Sequence, residues 1–76
     1  MNNPRRKKLN DIIAALNELK EYLEAMMEEE EAYRDNIPEN LQGSERFEKS
    51  DEACDALSYA LDSIDEVIEN IKNAVE

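Results

Sequence analysis

The segment covering residues 34–50 separates two long helical patterns, so it is where the chain must reverse direction. It holds the only glycine, Gly43, and one of the two prolines, Pro38. Because the residue before a proline is pushed out of the α region, regular helix should stop before Pro38, which can then open a short turn through Leu41. Gly43 is expected to take a left-handed conformation there, and Ser44 to cap the helix that follows. Ile37 and Leu41 are expected to be tucked under the connection.

Asn3 and Pro4 mark the start of the first helical pattern. An asparagine side chain can accept hydrogen bonds from the free backbone N–H groups of the first turn, and the fixed φ of proline suits the first helical position. Apolar residues then recur at spacings of three and four, which is typical of a helix that packs along one seam. The seam residues are Leu9, Ile12, Leu16, Leu19, Leu23 and Met26, with Ile13, Ala15, Tyr22 and Met27 beside them. The pattern predicts helix 1 over about residues 4–33.

The second helical pattern is more regular and predicts helix 2 over about residues 44–75. Its seam is Phe47, Ser50, Cys54, Leu57, Leu61, Ile64, Ile68, Ile71 and Val75, and a third column adds Ala53, Ala60, Val67 and Ala74. This apolar stripe is wider than one partner helix can cover.

The two patterns together predict an all-α fold, an antiparallel two-helix hairpin forming a single domain over residues 1–76 with its turn at 34–43. A chain of 76 residues buries little surface, and it has one cysteine and no histidine, so neither a disulfide nor a zinc site can stabilise it. We therefore expect a homo-oligomer in which hairpins form a helical bundle through the helix 2 stripe.

The negative charge of the chain argues against nucleic acid and anionic lipid as partners. The net charge is −11, and the four cations of residues 5–8 leave about −15 on the rest of the chain. Such a body repels nucleic acid and anionic lipid. No apolar run is typical of a signal peptide or a membrane span, and the lone Cys54 suits a reducing compartment, so we expect a cytoplasmic protein.

The residues needed for most catalytic chemistry are missing. There is no histidine, no glycine-rich phosphate loop and no activated cysteine, so we expect no enzymatic activity, no metal and no cofactor. The glutamate run 28–31 points around the helix in different directions, and we interpret it as a solvated helix end rather than a metal site.

Candidate binding residues fall in three places. Arg5 and Arg6 lie in the first turns of helix 1, where cations oppose the helix dipole. They either pair with the acidic end of helix 2 or bind a phosphate-bearing ligand or acidic partner. The donors around the turn suit oxygen-rich ligands but are also ordinary turn and cap residues. These donors are Arg34, Asn36, Asn40, Gln42 and Arg46. Tyr59 lies off the seam of helix 2 and is a candidate ligand or oligomer contact.

The residues Asp35-Asn36-Ile37-Pro38-Glu39-Asn40-Leu41-Gln42 and Ser44-Glu45-Arg46 carry a resemblance. The chain resembles small acidic helical-hairpin proteins of phages and prophages of Gram-positive bacteria. The resemblance implies a viral accessory role, such as a counter-measure to host immunity.

Three functions follow as expectations. The first is a sponge that sequesters a phosphate-bearing nucleotide signal, in which an antiparallel partner brings the basic start of one chain beside the turn of the other. The second is an acidic nucleic-acid mimic or protein-binding inhibitor of a host defence factor, comparable to an anti-CRISPR protein. It is motivated by the acidic line Glu21, Glu24, Glu28 and Glu31. The third is a purely structural helical oligomer.

Overall fold

The computed structural model describes all 76 residues as a rod of two antiparallel helices. Helix α1 spans Asn3–Asp35 and helix α2 spans Glu45–Val75, joined by a connection that contains the 3-10 helix Glu39–Leu41. The all-α hairpin expected from the sequence is confirmed. The Cα atoms extend over 59 × 15 × 12 Å with a radius of gyration of 17.4 Å, whereas a compact chain of this length would have about 11 Å.

Side-chain caps fix the beginnings of both helices. Helix α1 begins one residue earlier than expected, because the cap is Asn2, whose Oδ1 accepts from the Arg5 N–H at 2.9 Å. The expected cap of α2 is confirmed, since Ser44 Oγ accepts from the Phe47 N–H at 3.3 Å. Each cap satisfies one backbone donor that has no partner within the helix.

The connection matches the sequence expectation in part. Pro38 opens the 3-10 turn and Ile37 is tucked beneath the connection at 2% exposure, as expected. Two expectations are wrong: Leu41 is 45% exposed, and Gly43 does not adopt a positive φ. The 3-10 turn supplies the reason, because the Ser44 N–H donates to the Leu41 carbonyl at 3.0 Å and the chain reverses without a left-handed residue.

The core lies along one edge of α2 and is thin. Cys54, Leu61 and Ile68 are its buried apolar residues on α2, and Ile13 is the one buried residue of α1. Ser50 is also buried, where its hydroxyl donates to a carboxylate of α1. So few buried side chains leave a single hairpin with little hydrophobic stabilisation.

The seam of α1 is confirmed in part, since Leu9, Leu16 and Leu23 are half-buried as expected. Ile12, Leu19 and Met26 are exposed. Ile13 and Lys20, each one residue later in the sequence, face α2 instead. Helix α1 has two apolar stripes side by side, and α2 covers the one that contains long basic side chains. A lysine or arginine can lay its apolar stem in such a seam while its charged group reaches a carboxylate at the edge.

Candidate binding surfaces

The polar flank is the side of the hairpin where basic residues of α1 reach acidic residues of α2. Lys20 pairs with Asp65, and Arg34 Nη1 donates to Asp51 at 2.9 Å. The hydrogen bond to Asp65 is the main reason that the pKa of Lys20 is raised, while its partial desolvation acts in the opposite direction. These pairs fix which stripe of α1 faces α2.

Arg34 is held at the turn end by two carboxylates. Its Nε donates to Asp35 Oδ1 at 3.1 Å, and this bond is the largest cause of its raised pKa. The second partner is Asp51. A ligand phosphate would therefore have to displace carboxylates that already occupy this guanidinium group.

Arg46 lies on the opposite side of the hairpin from these pairs. Its guanidinium group stacks over the ring of Tyr33, 5.3 Å from the ring centroid, which is a cation–π distance. Arg46, Lys49 and Tyr33 line a small open cleft of about 270 Å³ together with Glu30 and Ser50. The Ser50 hydroxyl donates to Glu30 at 2.8 Å, so this cleft contains a carboxylate as well as two cations.

The open end of the rod carries the basic start of the chain. Arg6 Nε donates to the backbone carbonyl of Val75 at 3.1 Å, which places a cation on the C-terminal end of α2, where the helix dipole favours it. Lys7 pairs with Asp11 of its own helix at 3.6 Å. Arg5 and Lys8 form no ion pair. Only Arg6, of the four cations, therefore links the start of α1 to the end of α2.

The remaining turn residues singled out from the sequence project into solvent. Asn36, Asn40 and Gln42 are exposed, and their side chains make no hydrogen bond within the chain. One hairpin brings neither Arg5 nor Arg6 near them, since the two groups occupy opposite ends of a 59 Å rod. The Tyr33–Arg46 stack was not foreseen, and the only signal for it was that an aromatic and an arginine flank the connection.

The apolar face is the side of the hairpin that carries exposed apolar residues of both helices. It consists of Ile12, Ala15, Leu19, Tyr22, Met26 and Tyr33 of α1 with Ala53, Ala56, Leu57, Ala60, Ser63, Ile64 and Val67 of α2. Met26, Tyr33 and Leu57 line one open groove of about 630 Å³ between the helices, together with Glu29 and Glu30. The groove places Leu57 of α2 on the same side as Met26 and Tyr33, and helical spacing places the other members of each set on that side, opposite the polar flank.

The acidic stripe runs along the outside of α2. Its members recur at steps of three, four and seven residues: Glu45, Glu48, Glu52, Asp55, Asp62, Glu66 and Glu69. All are exposed, and only Glu45 is in an ion pair, with Lys49 at 3.0 Å. Tyr59 fills the one gap in the series and is 74% exposed. The acidic line expected from the sequence was Glu21, Glu24, Glu28 and Glu31 of α1. The regular recurrence of acids on α2 was the signal for the stripe.

Comparisons with protein-family models, with curated proteins and with solved structures found no match to this chain. Neither helix has an apolar stretch sufficient to cross a membrane. No three carboxylate or thiol groups are close enough together to hold a metal ion.

Cys54 is a core residue, as expected. It is buried, and burial raises the pKa of its thiol, while the nearby Arg34 charge acts in the opposite direction. A buried, protonated thiol is a poor nucleophile. The geometry therefore assigns Cys54 to packing.

Proposed function

We propose that the protein is a non-enzymatic, homo-oligomeric binding protein whose acidic stripe docks on a basic protein surface that otherwise binds nucleic acid. The observation that carries this proposal is the row of exposed, mostly unpaired carboxylates on the outside of α2. Arg34 and Arg6, by contrast, are already engaged within the chain. Most of the unpaired charge of the surface is therefore negative, although Arg5, Lys8, Arg46 and Lys72 also lack a carboxylate partner.

The spacing of the stripe supports this role. Successive members three or four residues apart are separated by about 5 Å along the helix, because each residue rises about 1.5 Å. Tyr59, in the middle of the row, offers a ring face on which an arginine or lysine of the partner can stack. Carboxylates flanking an aromatic ring suit a surface rich in arginine and lysine.

Size and charge density support the same role for a pair of hairpins. Two hairpins face to face form a four-helix rod about 20 Å across, taking about 10 Å for each helix. Its charge is twice −11, or −22, over a length of 59 Å. This is about one net charge per 2.7 Å, within a factor of two of duplex DNA at about one per 1.7 Å.

Self-association is supported by the surface that one hairpin leaves open. A monomeric globular protein of this mass exposes about 4,800 Å², whereas this chain exposes 5688 Å². The difference, roughly 900 Å², is close to the ~800 Å² that each partner buries in a standard interface. The apolar face, with large exposed residues such as Ile12, Leu19, Tyr22 and Met26, is the surface best suited to such burial.

The resemblance to phage and prophage hairpins suggests the setting. Within this proposal the partner is a nucleic-acid-binding factor of the host, such as a defence protein, and the acidic rod occupies its nucleic-acid site. No catalytic step and no cofactor are involved.

The test is competition for a nucleic-acid site. Purified basic nucleic-acid-binding proteins of a bacterial host, each loaded with a labelled duplex of about 17 base pairs, which matches the 59 Å rod, are titrated with this protein. We expect displacement of the duplex from at least one of them, weakening steeply as salt is raised. No displacement at low salt from any protein of the panel would contradict the proposal.

A matched pair of variants separates the stripe from net charge. The stripe variant carries Asp55→Asn, Asp62→Asn and Glu69→Gln, and the control carries Glu18→Gln, Glu28→Gln and Glu39→Gln. All six carboxylates are exposed and unpaired, and each variant loses three charges. We expect displacement to fall at least tenfold in the stripe variant and to change little in the control. Equal behaviour of the two would leave the stripe without a role.

A second function, binding of a small phosphate-bearing ligand, is favoured by one observation. Arg46, Lys49 and the Tyr33 ring converge on the cleft at the turn end, and arginine is suited to bidentate contact with phosphate. Glu30 in the same cleft opposes an anion, which places this function second. Incubation with cyclic and linear nucleotides should raise the melting temperature of the parent and not of Arg46→Ala. Identical shifts in both would remove the cleft from consideration.

A further inference from the structure

The apolar face differs in character between the two helices. Helix α1 contributes bulky side chains, namely Ile12, Leu19, Tyr22 and Met26. Helix α2 contributes small ones along its outer column, namely Ala53, Ala56, Ala60 and Ser63, with Val67 as the exception in that column. Its two other large residues, Leu57 and Ile64, are half-buried and lie nearer the core of their own hairpin. Two copies of such a surface are complementary when the bulky α1 half of each copy lies on the shallow α2 half of the other.

The register of the hairpin fixes which residues lie at the same height along the rod. Four contacts between the helices set this register: Glu30 with Ser50, Arg6 with Val75, Lys20 with Asp65 and Arg34 with Asp51. Averaged over the four contacts, Tyr22 lies level with Ala60 or Leu61. Further pairs at equal height are Leu19 with Ser63, Met26 with Ala56, and Ala15 with Val67. The one small residue of the α1 column is therefore level with the one larger residue of the α2 column.

Two hairpins can pack face to face about a two-fold axis in only two ways. In the first, the axis runs along the rod, both turns lie at the same end, and each α1 lies on the partner's α2. In the second, the axis crosses the rod, the turns lie at opposite ends, and each helix lies on its own copy. Since the first preserves height along the rod, it brings the level pairs into contact between subunits.

Side-chain size distinguishes the two arrangements, whereas charge fits both. With the turns together, Tyr22 faces Ala60 of the partner subunit and Ala15 faces the partner's Val67, so large residues meet small ones throughout. With the turns apart, Leu19 and its bulky neighbours meet their own copies while Ala60 and its small neighbours meet theirs. One half of the second interface would be overpacked and the other half left with gaps, and both defects are destabilising.

We infer that the partner covering the apolar face is a second copy of this chain, placed with both turns at the same end and each α1 on the partner's α2. Glu29 and Glu30 then approach Arg46 and Lys49 of the partner subunit across the turn end. Both acidic stripes remain on the outside of the four-helix rod. This inference rests on the self-association proposed above and adds its orientation.

The orientation is tested with one spin label per chain in the exposed turn. Asn40→Cys is labelled in a Cys54→Ala background, and dipolar spectroscopy measures the distance between the two labels of a dimer. With the turns together the labels are separated by about two helix diameters, or roughly 20–30 Å. With the turns apart they are separated by about the 59 Å length of the rod. Asn73→Cys, near the open end of α2, provides an independent label with the same two outcomes.

Light scattering on the same labelled samples separates the possible failures. A dimer with a short distance at both labels supports the inference. A dimer with a distance near the rod length overturns the orientation alone. A monomer that gives no dipolar distance overturns the self-association as well. As a second check, oxidised Leu19→Cys in the same background should form no disulfide-linked dimer, whereas the turns-apart arrangement would bring these residues together.

Discussion

Leu19→Gln tests whether the apolar face is buried in an assembly. Leu19 is 58% exposed in one hairpin, so more than half of its side chain is still available for burial. Complete burial of a leucine side chain is worth about 1.5–3 kcal/mol, so the remaining half corresponds to about 1–1.5 kcal/mol in each subunit. For a dimer this is about 2–3 kcal/mol, which raises the dissociation constant about 30- to 150-fold. Glutamine is as good a helix former as leucine, so the isolated helix should change little.

The assay is sedimentation equilibrium over a dilution series, with melting followed by circular dichroism at each concentration. The parent should melt at a higher temperature as its concentration rises, and Leu19→Gln should lose most of that dependence. Tyr59→Gln is the matched control, because Tyr59 is 74% exposed on the outside of α2 and contributes nothing to the apolar face. The reasoning is refuted if Leu19→Gln and Tyr59→Gln associate equally well.

Three further predictions concern stability and are measured at a fixed protein concentration. Leu61→Ala, in the core, should lower the free energy of unfolding in urea by about 2–4 kcal/mol, and the same change at exposed Leu41 should cost much less. Ser44→Ala removes the cap of α2 and should cost about 1 kcal/mol, which an unchanged urea midpoint would contradict. Stability should fall as pH rises above about 9, because the raised pKa values of the Cys54 thiol and the Lys20 ammonium group show that the folded state holds these protons more tightly. Cys54→Ala should make the alkaline fall in melting temperature shallower, and an equal slope in parent and variant would count against the buried thiol.

The general architecture could be predicted because it depends on local and repeated features. Apolar spacings of three and four define both helices, and Pro38 with Ser44 marks the connection and the start of α2. Burial of Ile37 and Cys54 followed from their place in the same patterns. Gly43 was misjudged because glycine permits a left-handed conformation without requiring it.

The side of α1 that faces α2 could not be predicted from apolar spacing alone. The leucines of the predicted seam, Leu9, Leu16 and Leu23, are half-buried as expected. The column of Ile12, Leu19 and Met26 on one side of them is more apolar than the column of Ile13 and Lys20 on the other, so counting hydrophobic residues selects the wrong neighbour. A choice between them depends on contacts with α2, which are distant in sequence. The same limit applies to the Tyr33–Arg46 stack, because two residues thirteen positions apart meet only once the turn is formed.

The ion pairs of the polar flank account for this choice and for its consequences. If α2 covered Leu19 and Met26 instead, Lys20 would lose Asp65 and Arg34 would lose Asp51. The same rotation of α1 would bury the stripe of Ile12, Leu19 and Met26 against α2 and leave less apolar surface exposed. Keeping the pairs sacrifices apolar burial within one hairpin and leaves a continuous apolar face for a second copy. The same packing directs the acidic stripe of α2 away from that face, so the proposed self-association and the acidic outer surface would both follow from one arrangement of charged residues in the seam.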